Sequence, residues 1–141
     1  FGDSGYTVLW PNGTTDPGND SSVTLALTLN GVSAIFLGDL GADAQSALLR
    51  AGAPAQVDVV KVAHHGSADQ APELYAQLHA RIGLIGVGPN RYGHPTHRLL
   101  ELLLHEHTRA YRSDTNGLVL VAPAADHGIQ VWSELPSDSG Q

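Results

Sequence analysis

Three short segments carry most of the side chains in this chain that could do metal or acid–base chemistry. The apolar run AIFLG ends in Asp39, and VVKVA ends in His64-His65-Gly66-Ser67. The third, IGVG, ends in Pro89-Asn90-Arg91-Tyr92-Gly93-His94-Pro95. If the three runs are parallel neighbouring strands, their polar ends meet at one sheet edge, where open α/β sheets bind ligands. One carboxylate beside several imidazoles suits a borderline divalent metal, zinc or manganese. Gly38, Gly66 and Gly93 allow the sharp turns and close approach such a site needs. Taken singly, each segment has a plainer reading: Gly-Asp as a turn or helix cap, His-His as a partly buried loop, Tyr-Gly-His-Pro as an ordinary turn. At three successive strand ends they read as a site.

The remaining histidines read as surface. His97, Glu101 and His105 share one helix face at i, i+4, i+8, the pattern of solvated His–Glu pairs. His105 and His107 point apart on a helix and cannot share a metal. His79 and His127 read as solvent residues. Arg109 and Arg112, on the last inner strand, read as surface charges.

The elements that must position these clusters follow from local pattern. Tyr6 to Trp10 is a strand, and PNGTTDPGND (11–20) is a loop dense in turn formers. Ser22 to Leu29 and Val32 to Leu37 are strands joined by Asn30-Gly31, a strong hairpin signal. Ala42 to Ala51 is a helix with Leu48 and Leu49 on one face, stopped at Gly52. Val57 to Ala63 is a strand, and Ala71 to Ala80 a helix opened by Pro72 with Leu74 and Leu78 inward. Ile82 to Val87 is a buried strand. Thr96 to His107 is a helix packed through Leu99, Leu100, Leu103 and Leu104. Leu118 to Ala122 and Ile129 to Trp132 close the fold as strands. The order predicts a layered α/β fold with a mixed sheet, over residues 1–135, with 136–141 as a tail.

Composition excludes several classes of function. At 141 residues the chain suffices for one domain with its own core. Cysteine is absent, so there is neither a disulfide nor a thiolate nucleophile or ligand. No apolar run is long enough to span a bilayer. Fourteen acidic residues against seven basic ones give −7, which excludes a broad positive field for nucleic acid. A polyanionic substrate would therefore need bound cations. The chain begins at Phe1 and lacks methionine, so it is expected to be a piece of a longer polypeptide.

The ordered set TVLWP, NDSS, a strand ending in GD, HHGS at 64–67 and NRYGHP at 90–95 resembles the metallo-β-lactamase-like nuclease domain at the C-terminus of ComEC-type competence proteins. The resemblance runs from about Val8 to Leu120. It implies the C-terminal half of an αββα sandwich hydrolase that uses two divalent metal ions. By resemblance, Asp39 would bridge both ions and His94 would close the second site. One of His64 and His65 would sit by the metals, as a ligand or as the group protonating the leaving oxygen. The assignment adopted puts His65 toward the metals and His64 toward the substrate. Asn19, in NDSS, falls where many relatives place another His ligand, and is read as orienting water or substrate. Ser67 and Asn90, within the two motifs, complete the candidate catalytic set.

One departure is large. The superfamily's main metal motif, H-x-H-x-D-H, is absent, and the nearest segment, His105-Glu106-His107, continues Thr108-Arg109-Ala110. The motif would lie upstream of Phe1. The resemblance thus implies a nuclease that degrades the non-transported strand of DNA beside a membrane channel domain, on the extracytoplasmic face. This chain alone would be inactive, bind metal weakly, and require the upstream half of its domain. Two other readings stay open: the same fold acting on a small phosphodiester or ester, and a non-catalytic half-domain.

Overall fold

A computed structural model describes residues 4–14, 16–125 and 128–135; the expected tail 136–141 and His127 lie outside them. Six strands form one sheet in the order β1 (Gly5–Trp10), β2 (Thr24–Leu29), β3 (Val32–Phe36), β4 (Val59–Lys61), β5 (Ile82–Ile85) and β6 (Arg109–Arg112). The first three pair antiparallel, and β3 to β6 run parallel, so the sheet is mixed as expected. Asn30 (φ 50°) and Gly31 (φ 83°) both take positive φ at the β2–β3 turn, as a type I′ hairpin demands.

Helices α1 (Ala42–Gly52), α2 (Pro72–Leu78) and α3 (His97–His105) cover one face of the sheet. Ile35, Val60 and Ile85 point into that layer and meet Leu48, Leu74, Leu78, Leu99 and Leu103. Thr96 caps α3, its hydroxyl accepting from the Leu99 N–H at 3.4 Å. Leu104, expected in the core, is exposed, while Leu100 and Leu102 flank the packed Leu99–Leu103 line. At 100° per residue the stripe centred on Leu99 and Leu103 carries position 104 past the sheet-facing side.

On the other face, β7 (Val119–Pro123) and β8 (Ile129–Ser133) form a separate antiparallel pair. This pair packs Val119, Val121, Ile129 and Val131 over Ala34, Val59, Ile82 and Tyr111. It does not reach β1 and β2: among the described residues Tyr6, Val8, Leu29 and Phe36 stay exposed on that side. They share a face because Tyr6 pairs Leu27, Val8 pairs Leu25 and Leu25 pairs Phe36. Leu120 and Trp132, paired across β7–β8, are exposed too. Contiguous apolar surface of this kind marks a face that another element covers.

Several boundaries are tighter than expected. Pairing in β4 stops at Lys61 because Ala63–Gly66 already forms a helical turn. His79 ends α2 in the left-handed conformation, and β2 starts at Thr24 instead of Ser22. Ser113–Asn116 forms one further helical turn, α4, that the pattern did not announce. β6 is the edge strand of the sheet, not an inner one.

Thr24 is fully buried, and its hydroxyl has no hydrogen-bond partner. An unpaired buried hydroxyl costs free energy that an apolar isostere avoids. Thr24→Val is therefore expected to raise the unfolding free energy by about 1 kcal/mol. A urea titration should show a higher midpoint at unchanged slope; an unchanged or lower midpoint would contradict the assignment.

Candidate functional site

The parallel order β3–β4–β5 brings the three polar strand ends together. Asp39 follows β3 after Leu37 and Gly38. The turn after β4 is tied to it by the His64 N–H, which donates to Gly38 O at 3.0 Å. The loop after β5 returns through Thr96, whose N–H donates to Gly66 O at 2.8 Å. Asp39, His64, His65 and His94 thus line one edge of the sheet.

His65 has the most defined geometry. Its Nδ1 lies 2.6 Å from Gly86 O, and a carbonyl can only accept, so Nδ1 carries the proton. In the neutral ring Nε2 is then a lone pair, and it stands 3.7 Å from Asp39 Oδ1. A proton or a cation placed between them would join the two groups. Fixing one ring nitrogen with a carbonyl is also how histidine ligands are oriented. Both side chains are about half exposed, 54% and 41%, so an incoming ion or substrate can reach them.

His64 stands between two neighbours. Asn19 Nδ2 lies 3.4 Å from its Nδ1, which leaves the neutral ring's proton on Nε2. Its ring is edge-on to His94 at 5.6 Å and to His65 at 6.4 Å. Desolvation holds the His94 imidazole below the ordinary histidine range, and His64 and His65 push it further the same way. Both effects favour the neutral form of His94, the form that binds a metal or accepts a hydrogen bond.

Asn19 is brought here from the loop after β1. Trp10 Nε1 donates to Asp20 O at 2.7 Å, and Asp20 Oδ1 accepts from the Gly41 N–H at 3.2 Å. Ser67 and Asn90 hold loops in shape. Ser67 Oγ accepts from the Asp69 N–H at 3.1 Å. Asn90 Oδ1 accepts from the N–H groups of Tyr92 and His94, while its Nδ2 donates to the carbonyls of Gly88 and His94.

Asp39, His65 and His94 have the right donor chemistry for a divalent cation. Even so, no three His, Asp or Glu side chains among the described residues converge on a single ion position. The donor set fits in type and is incomplete in number. The other histidines behave as surface: His97 pairs with Glu101 at 3.4 Å, and His105 turns to Glu106 at 2.8 Å. Arg112 pairs with Asp114 at 2.7 Å, which holds the Asp114 carboxyl below its usual range. Arg109 lies over the Tyr111 ring at 5.2 Å.

Two features escaped the sequence reading. Lys61, in the middle of an apolar run, lies beside the site; burial lowers its amine pKa against the opposing pull of Asp39, and Nζ donates to Val62 O at 2.8 Å. Behind the histidine turn is a buried amide network. Gln70 Nε2 donates to Ala63 O and Ser67 O, and Gln70 Oε1 accepts from Gln45 Nε2 and Tyr75 OH. Burial pushes the Tyr75 phenol up, keeping it a donor. A lysine within VVKVA was a visible signal; two helix-associated glutamines were not.

The turn is also strained. His64 (φ 47°, ψ 47°) and His65 (φ 53°, ψ 20°) are consecutive left-handed residues with side chains, each disfavoured by roughly 1–2 kcal/mol. Strain of this kind collects where a side chain is needed in one position. His64→Gly is expected to stabilise the fold by about 1 kcal/mol, since the His64 ring makes only a long contact to Asn19 and edge-on contacts to the rings of His65 and His94. Thermal unfolding of the variant checks this, and a destabilised His64→Gly protein would count against strain.

With this geometry in hand, the similarity to a known protein can be placed. The chain is similar to ComE operon protein 3 of Bacillus subtilis (strain 168). The two are 35% identical over 103 residues, 72% of this chain. The match takes up 13% of that protein, so the chain spans only a small part of its relative. No family model and no solved structure matches the chain. No helix of the described residues is long and apolar enough to cross a membrane.

Proposed function

We propose that this chain is the C-terminal part of a metallo-β-lactamase-like, metal-dependent phosphodiesterase domain in a DNA-uptake protein, acting on the strand of DNA that is not transported. The observation that carries the proposal is Asp39 Oδ1 standing 3.7 Å from Nε2 of His65, with His64 and His94 on the same edge. The similarity to ComE operon protein 3 supports the link to competence.

Asp39, His65 and His94 would hold part of a pair of divalent cations, zinc or manganese, which when bound neutralise a phosphodiester and acidify water. The missing donors would come from an upstream segment of the same domain. That segment would also cover the apolar face left open on β1 to β3. Within this chain, Gly86 O fixes the His65 tautomer, and His64 presents Nε2–H toward a leaving oxygen, steadied by Asn19. Ser67 and Asn90 keep the two loops in place. Cations at the site would also explain how a chain of net charge −7 could act on a polyanion. A membrane channel in the parent protein and an extracytoplasmic position belong to the same proposal.

The test is hydrolysis by the parent protein, with upstream segments present, of single-stranded DNA and of small phosphodiesters. Each is assayed with zinc or manganese and with chelator. Metal-dependent cleavage of DNA is expected, with no turnover by the 141-residue chain alone. Cleavage of small esters only would move the assignment to the other hydrolase reading. Loss of both activities, with no metal retained, would leave a non-catalytic module.

A further inference from the structure

We infer that Tyr92 is a stacking platform for a nucleobase, and that it makes the strand-end site selective for single-stranded DNA; this rests on the nuclease reading above. Tyr92 is 84% exposed, the largest exposure among the large apolar side chains of the described residues. An aromatic ring left in water forfeits the stabilisation that burial would bring. Here that cost is not incurred by a loose loop. The Asn90 carboxamide makes four hydrogen bonds, two accepted from the N–H groups of Tyr92 and His94 at 3.1 Å and two donated to Gly88 O and His94 O. The loop is built to hold an exposed aromatic in place.

The surroundings of the ring narrow its use. Tyr92 lies 5.9 Å from the His94 ring at 32°, and His94 in turn meets His64 at 5.6 Å. One side of the tyrosine is thus backed by the site, and the ring borders a shallow cleft of about 170 Å³ shared with His65 and Pro89. Arg91, next in the loop, is exposed and supplies a positive charge in an otherwise acidic chain. An exposed aromatic on a fixed loop, next in sequence to an exposed arginine and one ring away from a phosphate-handling edge, matches what flexible single strands offer: an unstacked base with its phosphate nearby. A base in a duplex is already stacked and would not be available to it.

The experiment measures cleavage by the metal-loaded parent protein of two oligonucleotides of equal length, one of thymidines and one carrying abasic sites throughout. Tyr92→Ala is expected to raise KM for the thymidine strand about tenfold, with kcat little changed, because uniform binding is lost. KM for the abasic strand should be unchanged by the variant, and Tyr92→Phe should restore the wild-type preference, since the ring and not the hydroxyl is used. Equal effects on both strands, or none on either, would overturn the inference while leaving the nuclease reading intact. A wild-type protein that cleaves neither strand overturns both.

Discussion

Replacing Asp39 with alanine is expected to abolish hydrolysis by the parent protein while leaving its fold intact. Among the described residues, Asp39 is the carboxylate at the strand-end edge that faces an imidazole, 3.7 Å from His65 Nε2. In the proposed role it is a direct ligand. Loss of an outer partner of a metal ligand costs roughly 10–100-fold, so loss of the ligand itself should exceed 100-fold in kcat/KM. The side chain is 41% exposed, and its 3.7 Å approach to His65 is long and solvent-screened. Its removal should therefore shift stability by no more than about 0.5 kcal/mol. Activity and metal content should fall together while the unfolding midpoint stays. Full activity in Asp39→Ala would end the metal assignment; joint loss of activity and fold would show that Asp39 is structural.

The parts of this architecture legible in the sequence were those set by local rules. Asn30-Gly31 specified its hairpin because few other dipeptides tolerate two positive φ angles. The three apolar runs ending in Asp39, His64-His65 and the His94 loop were visible, and their parallel pairing followed from the helix between each pair of strands. Long-range packing was not legible. Gln45 and Gln70 would pass for helix or loop surface, yet both are buried because Ala63 O, Ser67 O and the Ala71 N–H need partners there. Leu104 closes an i, i+4 pair with Leu100, and the sequence did not show that the packed line would instead centre on Leu99 and Leu103. The left-handed turn at His64 and His65 could not be read from residue type, since any residue other than glycine takes positive φ only uncommonly, histidine included.

That turn also explains why so few of the candidate residues touch bulk core. The buried amides hold its carbonyls from behind, Gly38 O takes the His64 N–H, and Gly86 O takes the His65 ring. The imidazoles are left half-buried or exposed on a frame whose backbone groups are already held. Such an arrangement positions the side chains chiefly through backbone groups, with the His65 ring alone fixed by a carbonyl of its own among these imidazoles.

The largest loss of stability is expected from Gly66→Ala. Gly66 has φ +87°, and a Cβ there would stand 2.5 Å from Pro95 Cβ and 2.9 Å from both Pro95 Cα and Leu99 Cδ2. Pro95 is rigid, and Leu99 is 1% exposed in the core, so neither can withdraw freely. The Gly66 carbonyl also accepts from the Thr96 N–H and hydroxyl, at 2.8 and 3.2 Å. This residue therefore fastens the histidine turn to the start of α3. Positive-φ strain of roughly 1–2 kcal/mol and overpacking of roughly 1–3 kcal/mol should act together, for a loss of about 3 kcal/mol or more. Gly93→Ala is the control: its φ is +76°, but nothing lies within 4 Å of the added carbon, so only the strain should register. Denaturant unfolding of the two variants separates the effects, and equal losses would mean that the close approach of Gly66 to Pro95 is not tight. Domains hold only about 5–15 kcal/mol in total, so Gly66→Ala should lower the unfolding midpoint sharply and displace Pro95, carrying His94 away from His64 and His65.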